Sequence, residues 1–244
     1  MANPLDQFKI KPLVDIEVGG IDISFTNSSL WMLITAGFVI AFMILGSQRR
    51  ALVPSRLQAA LEILYEAVAD MVRQNVGAGG RPYFPFIFAL FLFILFGNLF
   101  GLIPGSFTFT SHIAVTFAMA AFIFVAVTII GIVKHGFHFF SLFFPHGAPI
   151  VSAPVLIPIE VISYFARPIS LSVRLFANMT VGHVLLKVIA GGVVALGSYF
   201  ILPGIVPFAF LVAISGLEIM IAVIQAYVFA ILTCVYLHDA LHLH

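Results

Sequence analysis

The sequence predicts an all-α membrane protein whose chain crosses the bilayer about five times. Its residues are 62% hydrophobic and only 9% charged, whereas about a quarter of the residues in a soluble domain carry charge. Asp, Glu, Lys and Arg are absent from three long runs, at 23–48, 82–133 and 188–217. A spanning helix needs about 20 apolar residues, while barrel strands alternate over about ten. The runs therefore predict one, two and one helical spans, and they disfavour a barrel.

The first part of the chain predicts an arm, a span and an amphipathic helix. Residues 1–27 are polar and interrupted by prolines and by Gly19-Gly20, which is typical of an exposed arm. The first span runs from about Leu30 to Gly46, and we expect it to be retained because acidic residues precede it, unlike the basic start of a signal peptide. In residues 53–76, apolar side chains recur at helical spacing opposite charged ones. This pattern predicts a helix lying in the membrane interface.

The middle of the chain predicts two more spans, at about Tyr83–Leu102 and Ser111–Val133, joined by the turn "IPGSFTF". Gly97 and Gly101 stand four residues apart, a spacing typical of close helix packing in membranes. No repeat of fixed period appears along the sequence. We therefore expect residues 1–244 to form a single membrane domain.

Two long helical segments, at about 150–191 and 205–238, complete the chain. Each exceeds the length that a perpendicular crossing requires, which predicts strong tilt. Pro158 and Pro168 predict local bends in the first of them. Residues 150–240 are expected to form the half of the protein that carries ions, because the charges discussed below lie there.

Orientation follows from the lysines and arginines of short loops. The turn near Pro104 carries none, and the stretch 47–82 is rich in arginine. That stretch is therefore expected to be cytoplasmic, with the N-terminus outside and the C-terminal "HDALHLH" in the cytoplasm. Its arginines are Arg49, Arg50, Arg56, Arg73 and Arg81.

Charged residues within the last two helices are the main functional signal. An intramembrane charge costs about 2.5–3.5 kcal/mol, so it normally faces a partner or a water-filled path. At 100° per residue, one stripe on the first long helix lies within about 40° of Arg174, while His183 and Lys187 point to the other side. The stripe contains Glu160, Ser163, Arg167, Ser170 and Asn178, and one face of the last helix carries Ser215, Glu218, Gln225 and Tyr236.

Two interpretations of these charges are open. Glu160 and Arg167 could pair with each other, and Lys187 could extend to the membrane surface. Within the two helices, however, three lysines and arginines stand against two carboxylates. An unpaired buried charge is expensive, so the acid that Arg174 lacks is expected to belong to another subunit.

The chemistry of these side chains indicates a gate for protons. The guanidinium of Arg174 does not lose its proton at any accessible pH, so it cannot be a step in a proton relay. It can attract a carboxylate and block protons between two aqueous paths. His183 and Glu218 can take up and release protons, since histidine titrates near neutrality.

The segments "EVISYFARPISLSVRLFANMTVGH" and "LEIMIAVIQAYVFAILTCVYL" resemble subunit a of the rotary (F-type) ATP synthases, the stator of the membrane motor. "GNLFGLIPG" and the arm sequence "NPLDQF" fit the same family, so the resemblance covers most of the chain. It implies a non-catalytic subunit of the bacterial inner membrane whose partners are a c-subunit ring, peripheral-stalk b subunits, the rest of the complex and membrane lipid. Neither nucleic acid nor a cofactor is implied.

The resemblance also implies roles for individual residues. Arg174, the central residue of the site, would meet the carboxylate of the c ring and separate two offset aqueous half-channels. Proton flow through them would be coupled to ring rotation and ATP synthesis. The outer path would be lined by Asn178, His183, Glu218, Gln225 and Asn98, and the cytoplasmic path by Glu160 and Ser163.

One departure from the family pattern concerns the outer path. Most bacterial members carry Glu at the position of His183 and His at the position of Glu218. The exchanged order resembles mitochondrial subunits and indicates an alphaproteobacterial source. Because the pair of residue types is retained, the outer path is expected to be intact.

Other classes of function are less well supported. An ion-coupled secondary transporter would also need intramembrane charge, but it usually shows two similar halves, which are not seen here. No Ser-His, paired-Glu or HExxH arrangement suggests a hydrolase. His135, His138 and His146 lack a companion carboxylate or cysteine, and the sole cysteine, Cys234, lies in an apolar run. We therefore expect no metal site and no disulfide.

Overall fold

The computed structural model describes residues 9–15, 17–18, 21–22, 24–48, 54–103, 105–143, 153–197 and 201–242. Six α-helices and four short strands lie in these ranges. Five of the helices are long and apolar enough to cross a membrane. The prediction of an all-α, polytopic membrane protein is confirmed. "NPLDQF", Arg49, Arg50 and His146 lie outside the described residues.

The N-terminal arm folds back on itself as two short antiparallel strand pairs. Strand β1 (Pro12–Val14) pairs with β4 (Phe25–Thr26), and β2 (Glu17–Val18) pairs with β3 (Ile21–Asp22). The backbone N–H of Asn27 donates to the carbonyl of Lys11 at 3.1 Å. The arm is thus tied to the start of the first helix.

Helices α1 (Asn27–Ser47) and α2 (Arg56–Asn75) follow the arm. The Thr26 side chain caps the first and the Ser55 side chain caps the second, since each accepts a hydrogen bond from a backbone N–H of the first turn. Helix α2 is amphipathic: Val68 and its apolar neighbours are buried, whereas its charged side chains are exposed. Its place in the membrane interface stays a prediction.

Helix α3 (Phe84–Gly101) packs against α1, α2 and the last helix of the chain, and nine of its 18 residues are buried. The connector between α3 and helix α4 (Ile113–His135), described at residues 102–103 and 105–112, folds back along α3. A Cβ at Gly97 would lie 2.5 Å from the Phe109 ring, and one at Gly101 would lie 2.6 Å from the Thr108 side chain. The two glycines therefore let the connector approach α3.

Helices α5 (Ala153–Gly197, 45 residues) and α6 (Ile201–Leu241, 41 residues) pack against each other and are longer than predicted. The first of them was predicted to end at about residue 191, but α5 continues through Gly192 to Gly197, because glycine is well tolerated in membrane helices. Pro203 lies in the first turn of α6, where its missing N–H is not needed. Helix α5 is also continuous through Pro158 and Pro168.

Candidate functional site

The site is built around a contact between α5 and α6. His183 Nδ1 lies 3.3 Å from Glu218 Oε1, and both side chains are buried. The contact depends on Gly182, because a Cβ there would lie 2.8 Å from Glu218 Oε1. A titratable ring and a carboxyl group are thus held within reach of each other inside the bundle.

The other ring nitrogen of His183 faces the connector. His183 Nε2 lies 3.0 Å from the hydroxyl oxygen of Thr108. The Thr108 hydroxyl also donates to the carbonyl of Gly101 at 3.0 Å. Thr108 therefore links the imidazole to the end of α3, a contact that no sequence pattern predicted.

Further polar side chains continue from Glu218 along α6. Asn178 Nδ2 on α5 donates to Gln225 Oε1 at 2.7 Å, and Asn98 Nδ2 on α3 donates to the carbonyl of Ala222 at 3.2 Å. Ala222 lies between Glu218 and Gln225 on the helix, so Asn98 approaches α6 between these two side chains. The structure thus brings together five of the residues assigned by resemblance to the outer path: Asn98, Asn178, His183, Glu218 and Gln225.

Two cavities meet at the contact between His183 and Glu218. A cleft of about 730 Å³ reaches His183 and is lined also by Lys187 and Ser215. A depression of about 220 Å³ between α5 and α6 is lined by Asn178, Gly182 and Glu218. His183 thus borders one cavity and Glu218 the other. The 3.3 Å contact between them joins the two cavities through a pair of titratable groups.

The rest of the larger cleft is lined by the arm, α1 and the connector. Lys9 and Lys11 of the arm and Trp31 of α1 lie on its wall. Lys187 of α5 lines the cleft as well, whereas Arg174 lies 13 residues earlier on the same helix, about 20 Å along its axis.

Arg174 is exposed on the surface of α5, between the buried side chains of Leu171 and Leu175. It forms no hydrogen bond or ion pair with the part of the chain that the structure describes. A permanent cation therefore stands on the outside of an apolar helix. Its charge is not balanced by a contact with Glu160 or Glu218.

Arg167 has a different partner from the one that sequence reasoning offered. Its Nη1 lies 2.8 Å from Asp239 Oδ2 on α6, rather than pairing with Glu160. The guanidinium also lies 5.5 Å from the ring centroid of Tyr164 and 5.2 Å from that of Tyr236. Asp239 belongs to the C-terminal "HDALHLH", and α6 continues through it to Leu241.

Glu160 and Ser163 lie apart from the His183 group. Ser163 is exposed and Glu160 is half-buried. On a helix that rises 1.5 Å per residue, Glu160 and His183 are about 35 Å apart. The structure therefore leaves the residues assigned to the cytoplasmic path at the other end of α5.

The described residues contain no cluster of three or more His, Cys, Asp or Glu side chains that could hold a metal ion. His135 instead has its Nε2 at 3.2 Å from the carbonyl of Leu241. Cys234 is a free, buried thiol.

The fold and site define a polytopic helical membrane protein with a buried His–Glu pair between two cavities and an exposed arginine on an apolar helix. The family described as "ATP synthase A chain" matches residues 29–238, and the chain belongs to this family. The family associates it with ATP synthesis and proton transport.

Full-length relatives support the assignment. The chain is 60% identical to "ATP synthase subunit a" of Paramagnetospirillum magneticum over 247 residues, and 60% identical to the same subunit of Rhodospirillum rubrum over 244 residues, with all of each chain covered. It is 52% identical to the subunit of Pelagibacter ubique, covering 100% of this chain and 99% of the relative. The family resemblance and its alphaproteobacterial character are confirmed.

Proposed function

We propose that this chain is the proton-translocating stator subunit of an ATP synthase membrane sector. It catalyses no reaction itself. It passes protons to and from the carboxylate of a rotating c-subunit ring through two offset aqueous half-channels, which Arg174 separates. Flow through them couples the proton gradient to rotation and so to ATP synthesis.

One observation carries this proposal: Arg174 is exposed on an apolar helix and forms no hydrogen bond or ion pair in the described part of its own chain. Guanidinium stays charged at every accessible pH, and a charge facing lipid is expensive. A carboxylate on a neighbouring subunit would satisfy it, and a carboxylate that moves past would be attracted and released in turn. A fixed cation would also repel protons that crossed directly between the two paths.

The outer path is supported by the two cavities. Protons would enter the 730 Å³ cleft, reach the pair of His183 and Glu218, and continue into the depression beside Asn178. Asn98 and Gln225 supply further polar groups next to Glu218. The path then ends on the side of α5 from which Arg174 projects.

The cytoplasmic path is assigned to Glu160 and Ser163, at the opposite end of α5. Their distance from His183, about 35 Å along the helix, fits two paths that open on different sides of the membrane. The arginines at Arg56, Arg73 and Arg81 support a cytoplasmic location for that side. The N-terminus then lies outside the inner membrane and the C-terminus lies in the cytoplasm.

The proposal is tested by replacing Arg174 in the whole complex. In inverted membrane vesicles, Arg174→Ala is expected to reduce ATP-driven acidification to background while the subunit still assembles. Arg174→Lys should fail as well, because lysine can lose its proton and lacks the planar donor fork. Arg73→Ala, which removes an exposed arginine of α2, is the matched control and should pump normally. Near-normal acidification by Arg174→Ala would refute the separating role.

A further inference from the structure

We propose that Thr108 is a positioning residue that keeps the proton of the His183 ring on Nε2, so that Nδ1 and Glu218 share one transferable proton. The inference rests on the proposed role of His183 and Glu218 in the outer path and adds a third residue to it. Thr108 lies in the connector, 75 residues away from His183 in the sequence. Thr108 fixes the position of the ring proton because its hydroxyl can donate only one hydrogen bond.

The hydroxyl of Thr108 has two neighbours and one proton. The carbonyl of Gly101, at 3.0 Å, can only accept that proton. His183 Nε2, also at 3.0 Å, can either donate or accept. Both contacts are satisfied when Thr108 donates to Gly101 and accepts from Nε2–H.

The Gly101 carbonyl depends on this bond. Its other neighbour is the hydroxyl of Ser106, at 3.2 Å. That hydroxyl also has one proton, and it lies closer to the carbonyls of Phe100, at 2.6 Å, and Ile103, at 2.7 Å. Gly101 is buried at the end of α3, where a helix leaves its last carbonyls without intrahelical donors. Turning the Thr108 hydroxyl toward Nε2 would leave this carbonyl without its best donor.

Packing holds the Thr108 side chain in place. Thr108 is buried, and its Cγ2 occupies the space that a side chain at Gly101 would fill. A β-branched side chain also has few accessible rotamers. The oxygen that faces His183 is therefore held by the close approach of the connector to α3.

The tautomer decides what passes between His183 and Glu218. With the ring proton on Nε2, Nδ1 of the neutral ring carries a lone pair and lies 3.3 Å from Glu218 Oε1. Transfer breaks the O–H bond of the protonated Glu218 carboxyl and forms an N–H bond at Nδ1, giving a carboxylate and an imidazolium. The reverse step restores both neutral groups, and the bond from Nε2–H to Thr108 persists throughout.

The opposite tautomer would stop this exchange. A neutral ring with its proton on Nδ1 presents a donor to Glu218 and cannot accept a proton from it there. The remaining charged side chains near the ring are cationic: Lys187 of α5 and Lys9 and Lys11 of the arm line the same cleft. The hydroxyl of Thr108 contacts Nε2.

The tautomer is measured directly by nitrogen-15 NMR of the whole complex in lipid, with labelled histidine, near neutral pH. Signals of His183 are identified by their loss in His183→Gln. In the native protein, Nε2 is expected to be protonated. In Thr108→Val, which keeps the shape and removes the hydroxyl, the ratio of Nε2-protonated to Nε2-unprotonated ring should fall about fivefold, the effect of losing one hydrogen bond. Thr108→Ser restores the hydroxyl and should restore the ratio.

The matched control is Thr116→Val. Thr116 is also buried, but its hydroxyl donates within its own segment, to the carbonyl of Ile113 at 3.2 Å. The Thr116→Val substitution should leave both the His183 spectrum and ATP-driven pumping unchanged. Thr108→Val should reduce pumping, and Thr108→Ser should retain most of it.

The outcomes separate this inference from the proposed function. An unprotonated Nε2 in the native complex would overturn the inference without any variant. Native pumping by Thr108→Val, or an unchanged ratio of Nε2-protonated to Nε2-unprotonated ring in that variant, would overturn the inference as well. Native pumping by His183→Gln would instead refute the proposed outer path, whatever the tautomer of the ring.

Discussion

Arg167 of α5 and Asp239 near the end of α6 form an ion pair with an Nη1–Oδ2 distance of 2.8 Å. The two side chains are only 28% and 30% exposed, and the guanidinium also contacts the rings of Tyr164 and Tyr236. Arg174 follows seven residues later on the same helix, about 10 Å along its axis. The ion pair therefore joins the two long helices close to the residue on which the proposed mechanism depends.

Breaking this ion pair is expected to destabilise the protein. Arg167→Gln or Asp239→Asn should lower the free energy of unfolding by about 1–2 kcal/mol, the range for a hydrogen bond to a charged group that is partly exposed. The measurement is the apparent Tm of the solubilised complex, followed by heat-induced aggregation of this subunit. Arg73→Gln is the control, because Arg73 and Asp70 form an exposed ion pair on α2. Equal effects of the Arg167 and Arg73 variants on the apparent Tm would show that the ion pair between α5 and α6 stabilises the protein no more than an exposed ion pair does.

A cysteine on the exposed face of α5 should crosslink to a c subunit if Arg174 meets the ring. Ser170 is exposed one turn before Arg174, whereas Ser172 is buried and donates to the carbonyl of Ile169. Ser170→Cys is expected to form the crosslink under mild oxidation in a complex carrying cysteines in the c subunit. Ser172→Cys should not, and Lys187→Cys, on the side of the cleft, should react far less. Similar yields at Ser170 and Ser172 would contradict the proposed orientation.

The contact between His183 and Glu218 predicts that the two residues act as a unit. His183→Glu would place two carboxyl groups together, and Glu218→His would place two imidazoles together, so each single change should reduce proton-coupled activity. The double exchange restores one of each and should recover part of that activity. In a double-mutant cycle the coupling should be about 1 kcal/mol or more, as for groups in contact. Single effects that simply multiply in the double variant would indicate independent roles.

Even the smallest side chain, that of alanine, should impair function at position 182. Alanine usually favours a helix over glycine by about 1 kcal/mol, but a Cβ at Gly182 would lie 2.8 Å from Glu218 Oε1 and displace the carboxyl group. Gly182→Ala should therefore lower ATP-driven pumping although the subunit assembles. Gly191→Ala, on the same helix, meets nothing within 4 Å and should pump normally. Normal pumping by both variants would show that the position of Glu218 tolerates displacement.

Several features of the fold and site follow from the sequence because their causes are local. Long charge-free runs indicate spanning helices, since lipid excludes unpaired backbone and charge. The spacing of polar residues on one helix predicts their common face, which is why Arg174 and Lys187 were expected on different sides of α5. Helix ends were harder to predict: membrane helices accommodate glycine and proline, and α5 and α6 extend beyond the signals that would end a soluble helix.

Contacts between distant segments depended on tertiary structure. Nothing near Asp239 in the sequence indicates Arg167, 72 residues away, and nothing near Thr108 indicates His183. The second contact requires Gly97 and Gly101 to admit the connector against α3, and the first requires α6 to continue to Leu241 while packed on α5.

By itself the sequence determined that the protein is helical and membrane-bound, that a permanent cation lies on one helix face, and that a histidine and a carboxylate are available for proton transfer. Only the tertiary structure decided that His183 and Glu218 touch, that they lie between two cavities, and that Arg167 binds Asp239. The reason is physical: periodicity and burial act over a few residues along the chain. The partner of a buried polar group is whichever atom the packing of the whole bundle brings within hydrogen-bond distance.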